Sequence, residues 1–291
     1  MALMHYKSFR RESITSIHKR LSKKCYPERT FSLGFKMSLV LFEIHDHVAI
    51  LTLNNPRKRN MLSLEVCSEI RSYVAQAEGD GRVKALIITG KGPSFCAGGQ
   101  LSDIQPDKET LEGIYSGFLS IAQCMIPTIA AVNGPAVGAG FNMALGCDVR
   151  IVSKKALFEP RFFGLGLHPG GGATWMTRQL TGWDAAASML LFSQSISGEL
   201  AVEKGLAWKC VDECDLLDEA IAFTSNIRNV PKEILLRTKK TLRAADMSKS
   251  HNSILDIETE QQLWSIKQPY ARDAISNMIK KISSTPESTT N

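Results

Sequence analysis

Two stretches of the chain combine small residues with almost no charge: GPAVGAGFN, residues 134–142, and SFCAGGQL, residues 94–101. Side chains of this kind do no chemistry, so the chemistry on offer is that of the main chain. A strand that ends in glycine, runs through small residues and enters a helix presents bare N–H groups, and the helix dipole adds partial positive charge there. Such a place binds an anion, or a carbonyl oxygen that is becoming one. Small residues also let a ligand approach the backbone closely. Each stretch follows a strand-like run and precedes a helix, so each can offer one N–H to a single oxygen. Two other readings exist for the stretch at 134–142. Gly138-Ala139-Gly140 followed by Ala144 is a fragment of a dinucleotide fingerprint, with Asp148 and Arg150 too early to serve a ribose. Glycines can also serve helix–strand packing alone.

The elements that must position these loops are legible from periodicity. SLVLFEI (38–44) and VAILTLN (48–54) straddle a turn and predict a hairpin. Its turn residues, His45-Asp46-His47, are read as an exposed turn rather than as metal ligands. A helix is expected over 63–78 with Ser63 as N-cap. ALIITG (85–90) and TIAAVNG (128–134) have the near-continuous apolar character of buried parallel strands. Helices are expected at about 107–124, 141–148, 172–181, 184–191 and 198–204, with strands at 149–153 and 207–212. FEPRFFGLGLHPGGGA (158–173) reads as a loop. Helical segments follow at 216–228, 231–247 and 253–282, then a polar tail. Recurring strand–loop–helix units make this an α/β chain with a helical C-terminal part.

The 291 residues suffice for one large domain with appendages, and no apolar run approaches the ~20 residues of a membrane span. The net charge of +6 is uneven: residues 1–36 carry +7, from nine basic and two acidic residues, and the other 255 sum to −1. Basicity is therefore no argument for nucleic acid. A basic, acid-poor, serine-bearing start reads as a mitochondrial transit peptide over 1–31, with Arg29-Thr30-Phe31-Ser32 similar to a matrix-protease site, and implies the mitochondrial matrix. The alternative is a translation start at Met37. Seven scattered cysteines fit a reducing compartment and no zinc site. No metal, flavin or nicotinamide is implied.

GKGPSFCAGGQLSDI and PTIAAVNGPAVGAGFNMALGCDVRIVS resemble the two signature segments of the crotonase (enoyl-CoA hydratase/isomerase) superfamily. NNPRKRNML, GLGLHPGGGATWMTRQLTG and GELAVEKGLAWKCVD are similar to its other landmarks, in the same order, so that the resemblance covers about 35–285. It implies a spiral of ββα units over 32–205, a C-terminal helical region over 206–282 that drives trimers or hexamers, and a disordered tail over 283–291. It implies an acyl-CoA thioester, with coenzyme A as part of the substrate, in fatty-acid or branched acyl-CoA metabolism. The oxyanion hole would be the backbone N–H of Gly99 and of Ala139. The backbone at Ala97 and Leu101 would meet the adenine, and Arg57 and Lys58 would lie near the CoA phosphates or in solvent.

The chain departs from that pattern at the acid–base positions. Adding water to an α,β-unsaturated thioester needs a base for water and an acid for Cα. The resemblance places one carboxylate at Asn142, a second at Phe162, and an isomerase-type alternative at Gly170, and none of the three residues is an acid. The candidate replacements are His168 and Glu159, ahead of Asp103 and Cys96. Phe162, Phe163 and Met143 are candidates to shape the acyl pocket. Three functions compete: a hydratase or isomerase of the lyase or isomerase class with relocated acid–base groups, a decarboxylase of a malonyl-type CoA that needs no carboxylate, and a non-catalytic acyl-CoA binder.

Overall fold

The computed structural model describes residues 38–100 and 108–247, together with positions 261, 264, 267–271, 273, 277 and 280. The leader, Leu101, Asp103, the polar tail and most of the expected 253–282 helix lie outside the described residues.

Six strands form the main sheet in the order β1 (Val40–His45), β2 (Val48–Leu53), β3 (Ala85–Gly90), β4 (Thr128–Val132), β6 (Val149–Ser153) and β9 (Lys209–Val211). The expected hairpin is β1–β2, antiparallel with His45 opposite Val48, and its turn is Asp46-His47. The turn is not wholly exposed as expected: His47 is buried, its ring anchored on the Thr224 carbonyl at 3.1 Å. From β2 onward every neighbouring pair is parallel. The pleat divides the apolar runs between two cores. Leu51, Leu53, Leu86, Ile88, Ala130 and Val152 face one, and Val48, Ile50, Ile87, Ile129 and Ile151 face the other. That double burial is why β2, β3 and β4 read as unbroken hydrophobic segments.

The first core is covered by α1 (Leu64–Gly79), α2 (Lys108–Gln123) and α3 (Ala139–Gly146). Ser63 caps α1, its hydroxyl accepting from the Val66 N–H at 3.3 Å. The helices α1 and α2 approach so closely that a Cβ at Gly117 would lie 2.7 Å from Cys67 Sγ. The second core is closed by α6 (Leu216–Phe223) through Leu216 and Ala220. Between them run α4 (Ala173–Leu190) and α5 (Gly198–Glu203).

The last long helix, α7 (Lys232–Met247), docks largely through cations. Lys232 Nζ donates to the Glu78 and Asp80 carbonyls at the end of α1, at 2.7 and 2.8 Å. Arg243 donates to the Ala122, Gln123 and Cys124 carbonyls at the end of α2. Between them Lys239 donates to the Ile126 carbonyl at 2.9 Å and pairs with Asp148. Positive groups at helix C-termini satisfy orphan carbonyls and oppose the dipole.

Three expectations are corrected. The two helices expected at 172–181 and 184–191 are one helix, α4, bent at Gly182, whose φ of 74° is not helical. The helix expected over 216–228 ends at Phe223, followed by a 3-10 turn at Ser225–Ile227. A second, three-stranded sheet went unread: β5 (Pro135–Val137), β7 (Leu157–Glu159) and β8 (Ile196–Ser197). Each strand has two or three residues, too few for an alternation to show. So PAV, residues 135–137, expected as loop, is a strand.

Candidate active site

The two small-residue loops leave the carboxyl ends of β3 and β4, where parallel sheets place their ligands. Two asparagines hold the first loop. Asn133 accepts from the Gly90 N–H at 3.1 Å and donates to the Gly92 carbonyl at 2.8 Å. Asn60 donates to the carbonyls of Lys91 and Ser94 at 3.0 and 2.8 Å. The loop then forms a parallel bridge with Leu62: the Leu62 N–H donates to the Gly98 carbonyl and the Gln100 N–H to the Leu62 carbonyl, both at 2.8 Å. In such a bridge the intervening residue, Gly99, turns its own N–H to the other side.

The second loop is fixed against the first. The Val137 N–H donates to the Cys96 carbonyl at 2.9 Å, and the Gly138 N–H to the Glu159 carbonyl at 3.0 Å. Gly138, at φ 52° and ψ −114°, makes the sharp entry into α3 and serves as its N-cap. That conformation suits glycine alone. Ala139 is then the first residue of α3, and its N–H is one of the donors a helix start leaves unpaired. The loops touch: a Cβ on Gly98 would lie 2.9 Å from the Val137 oxygen and 3.7 Å from the Ala139 nitrogen. A Cβ on Gly140 would lie 2.3 Å from the Cys96 carbonyl oxygen. The small residues here keep two main-chain segments in contact.

Gly99 and Ala139 open onto a cavity of about 620 Å³, of ordinary size for a small-molecule site. Its wall is mainly apolar, with Met61, Ile114, Val137, Phe162, Leu165 and Leu167. Among the described residues three polar side chains reach it: Tyr115, Arg161 and His168. His168 donates from Nδ1 to the Pro169 carbonyl at 2.7 Å. That contact fixes the tautomer and leaves the Nε2 lone pair free to take a proton.

The remaining expected residues fall as follows. Phe162 and Gly170 line the cavity. Ala97 lines it too, but its N–H is taken by the Arg59 carbonyl at 2.9 Å. Arg57 and Lys58 are exposed on a 3-10 turn just before Met61 and do not line the cavity. Glu159 does not line it either; its carboxylate is clamped by Arg161 through two hydrogen bonds of 3.0 and 2.6 Å. Asn142, expected at the ligand, is 1% exposed behind the loop, and its Nδ2 donates to the Gly170 carbonyl at 2.8 Å. Its amide braces the wall from behind while its Oδ1 is a buried atom without a partner in the structure. Met143 is fully buried in the core, and Phe163 is exposed. Burial pushes the Cys96 thiol up to about 12, which makes it a packing residue and no nucleophile.

Tyr115 and Arg161 were not anticipated. Tyr115 lies within an ordinary helical pattern, and nothing local marks which of its neighbours face a cavity. Arg161, a non-glycine residue at φ 51°, pairs with Glu159 in the structure, and no sequence pattern marked it.

Comparison with known proteins agrees with this architecture. Residues 43–275 match the family model described as enoyl-CoA hydratase/isomerase. A "probable enoyl-CoA hydratase" of Mycobacterium tuberculosis is 40% identical over 240 residues, covering 79% of this chain and 93% of that one. The 1,2-epoxyphenylacetyl-CoA isomerase of Escherichia coli is 30% identical over 254 residues, covering 84% and 97%. A Thermobifida fusca protein crystallised in complex with CoA superposes with a TM-score of 0.72 at 28% identity, covering 78% of this chain and 93% of its own.

Proposed function

The chain belongs to the enoyl-CoA hydratase/isomerase family, and on that premise we propose that it binds an acyl-CoA thioester in the cavity and polarises the thioester carbonyl between the N–H groups of Gly99 and Ala139. The observation that carries this reading is the contact of the two loops, which sets two unpaired donors on the lining of one mainly apolar cavity. Donors aimed at a developing oxyanion contribute about 3–4 kcal/mol each to the transition state. The CoA bound in the Thermobifida fusca relative supports the ligand class.

Proton transfer falls to a side chain other than the family's carboxylates. Among the described residues no carboxylate lines the cavity, and Glu159 is held by Arg161. His168 lines it with Nε2 free, so His168 takes the proton from water or from substrate carbon and returns one to Cα. The fitting reaction is hydration or double-bond isomerisation of an enoyl-CoA. A second reading follows from the same lack of a lining carboxylate. A malonyl-type CoA loses its own carboxylate as CO₂, the oxyanion hole holds the enolate, and His168 reprotonates Cα.

Adding crotonyl-CoA to the purified protein and following the enoyl thioester absorbance tests the first reading. Turnover abolished by His168→Ala supports it. Binding of a saturated acyl-CoA with no hydration, and CO₂ release from methylmalonyl-CoA, would transfer the assignment to decarboxylation. Binding without either turnover would leave a non-catalytic acyl-CoA binder. The same proposal includes self-association into trimers or hexamers, supported by exposed Trp175, Trp183, Phe192 and Trp208, and import into the mitochondrial matrix, supported by the +7 leader. Sedimentation equilibrium and localisation of a tagged full chain test these two.

A further inference from the structure

The space a side chain at Gly170 would enter is filled from a different element, α2. A Cβ built on Gly170 would lie 2.3 Å from the Tyr115 hydroxyl and 3.4 Å from Cζ of the same ring, and among the described residues, its chain neighbours aside, no other atom comes within 4 Å. The Tyr115 hydroxyl thus occupies the volume that a side chain at 170 would take. The ring is held by a tilted contact with Phe118, centroids 5.6 Å apart. The Gly170 carbonyl is already engaged, accepting from Asn142 Nδ2 and from the Ala173 N–H at 3.3 Å. Tyr115 has no hydrogen-bond partner among the described residues, although it lines the cavity.

An occupant displaces whatever water the free hydroxyl holds and must replace that bond. A bare hydrocarbon tail leaves the O–H unpaired in an apolar wall, whereas an oxygen on the acyl chain accepts from it. A donor that the bound ligand covers favours the acyl chain that brings it an acceptor over the analogue that lacks one. We infer that Tyr115 is a specificity-determining residue whose hydroxyl donates to an oxygen of the acyl group, so that the pocket selects oxygen-bearing acyl chains over plain hydrocarbon ones of the same length. This rests on the reading of the cavity as an acyl-CoA site.

The test is a titration of the full chain with acetoacetyl-CoA and butyryl-CoA, which have the same chain length and differ in one acceptor oxygen. The protein should prefer acetoacetyl-CoA by about three- to tenfold, the range of one net hydrogen bond. Tyr115→Phe, which removes the hydroxyl and keeps the ring, should abolish that preference by weakening acetoacetyl-CoA alone. Gly170→Ala reaches the same end from the other side, because its Cβ evicts the hydroxyl. Equal affinities for both thioesters in the unaltered protein, or a preference that survives either substitution, overturns the inference and leaves the acyl-CoA reading standing. Binding of neither thioester overturns both.

Discussion

The two sides of the cavity are built on different principles. The side holding Gly99 and Ala139 consists of main chain, positioned by asparagine clamps, a parallel bridge and a helix start. The other side, from Pro160 to Gly170 together with Tyr115, consists largely of side chains. A main-chain donor persists when the residue changes, so Ala139 can stand where glycine is usual. A side chain does not persist: Phe162 and Gly170 bring no acid to this wall, and Asn142 lies behind it. The main-chain side thus depends on the fold, and the other wall on individual residues.

Four experiments break or sharpen that contrast. The largest effect belongs to the wall. His168→Ala should lower turnover of crotonyl-CoA by about 10²–10⁴, the range for a lost acid–base group. Affinity for a saturated acyl-CoA should stay within about twofold, because the backbone donors are untouched; equal losses in both would return His168 to a structural role. Next, Gly140→Ala forces a Cβ to 2.3 Å from the Cys96 carbonyl and should cost about 3 kcal/mol in urea unfolding, at the upper end for overpacking. A loss below about 1 kcal/mol would mean the two loops are not pressed together. Third, Asn142→Asp sets a carboxylate against the Gly170 carbonyl and removes the donated bond. It should cost about 2 kcal/mol and restore no hydration, because that side chain braces the wall from behind.

The smallest effect tests dryness beneath the backbone side. Burial pushes the thiols of Cys96, Cys124 and Cys147 up to about 12. In the unfolded chain they ionise near about 8.5. A raised folded pKa means the contribution is complete below the unfolded value and lost as pH climbs from there toward 12. The melting temperature should be flat between pH 7 and 8 and decline above about 9. Replacing Cys96 by alanine should flatten part of that decline.

The legible parts of the molecule were those with local causes. The Ser63 cap, the hairpin and the buried strands β3 and β6 stand where periodicity put them, because each is fixed by residues within a few positions. The run of small residues leading into α3 was readable for the same reason, its glycines and the helix being adjacent in sequence. The wall was not readable from this chain alone. Tyr115 meets Gly170 across 55 positions, and only tertiary packing shows that one fills the space of the other. Asn142 was placed at the ligand by resemblance, but one hydrogen bond to Gly170 turns its amide into a brace. The strands β5, β7 and β8 were too short to carry a period.

The docking of α7 has a consequence for how the molecule comes apart. Its cations Lys232, Lys239 and Arg243 meet carbonyls and one carboxylate, with Leu236 alongside as an apolar contact. Lifting this helix away would bare the ends of α1 and α2 more than their greasy faces. Such an opening uncovers little apolar surface, so its sensitivity to urea and its heat-capacity change are small. Amide exchange in α7 should therefore follow a shallow denaturant dependence of its own, while the strands beneath it exchange only with global unfolding.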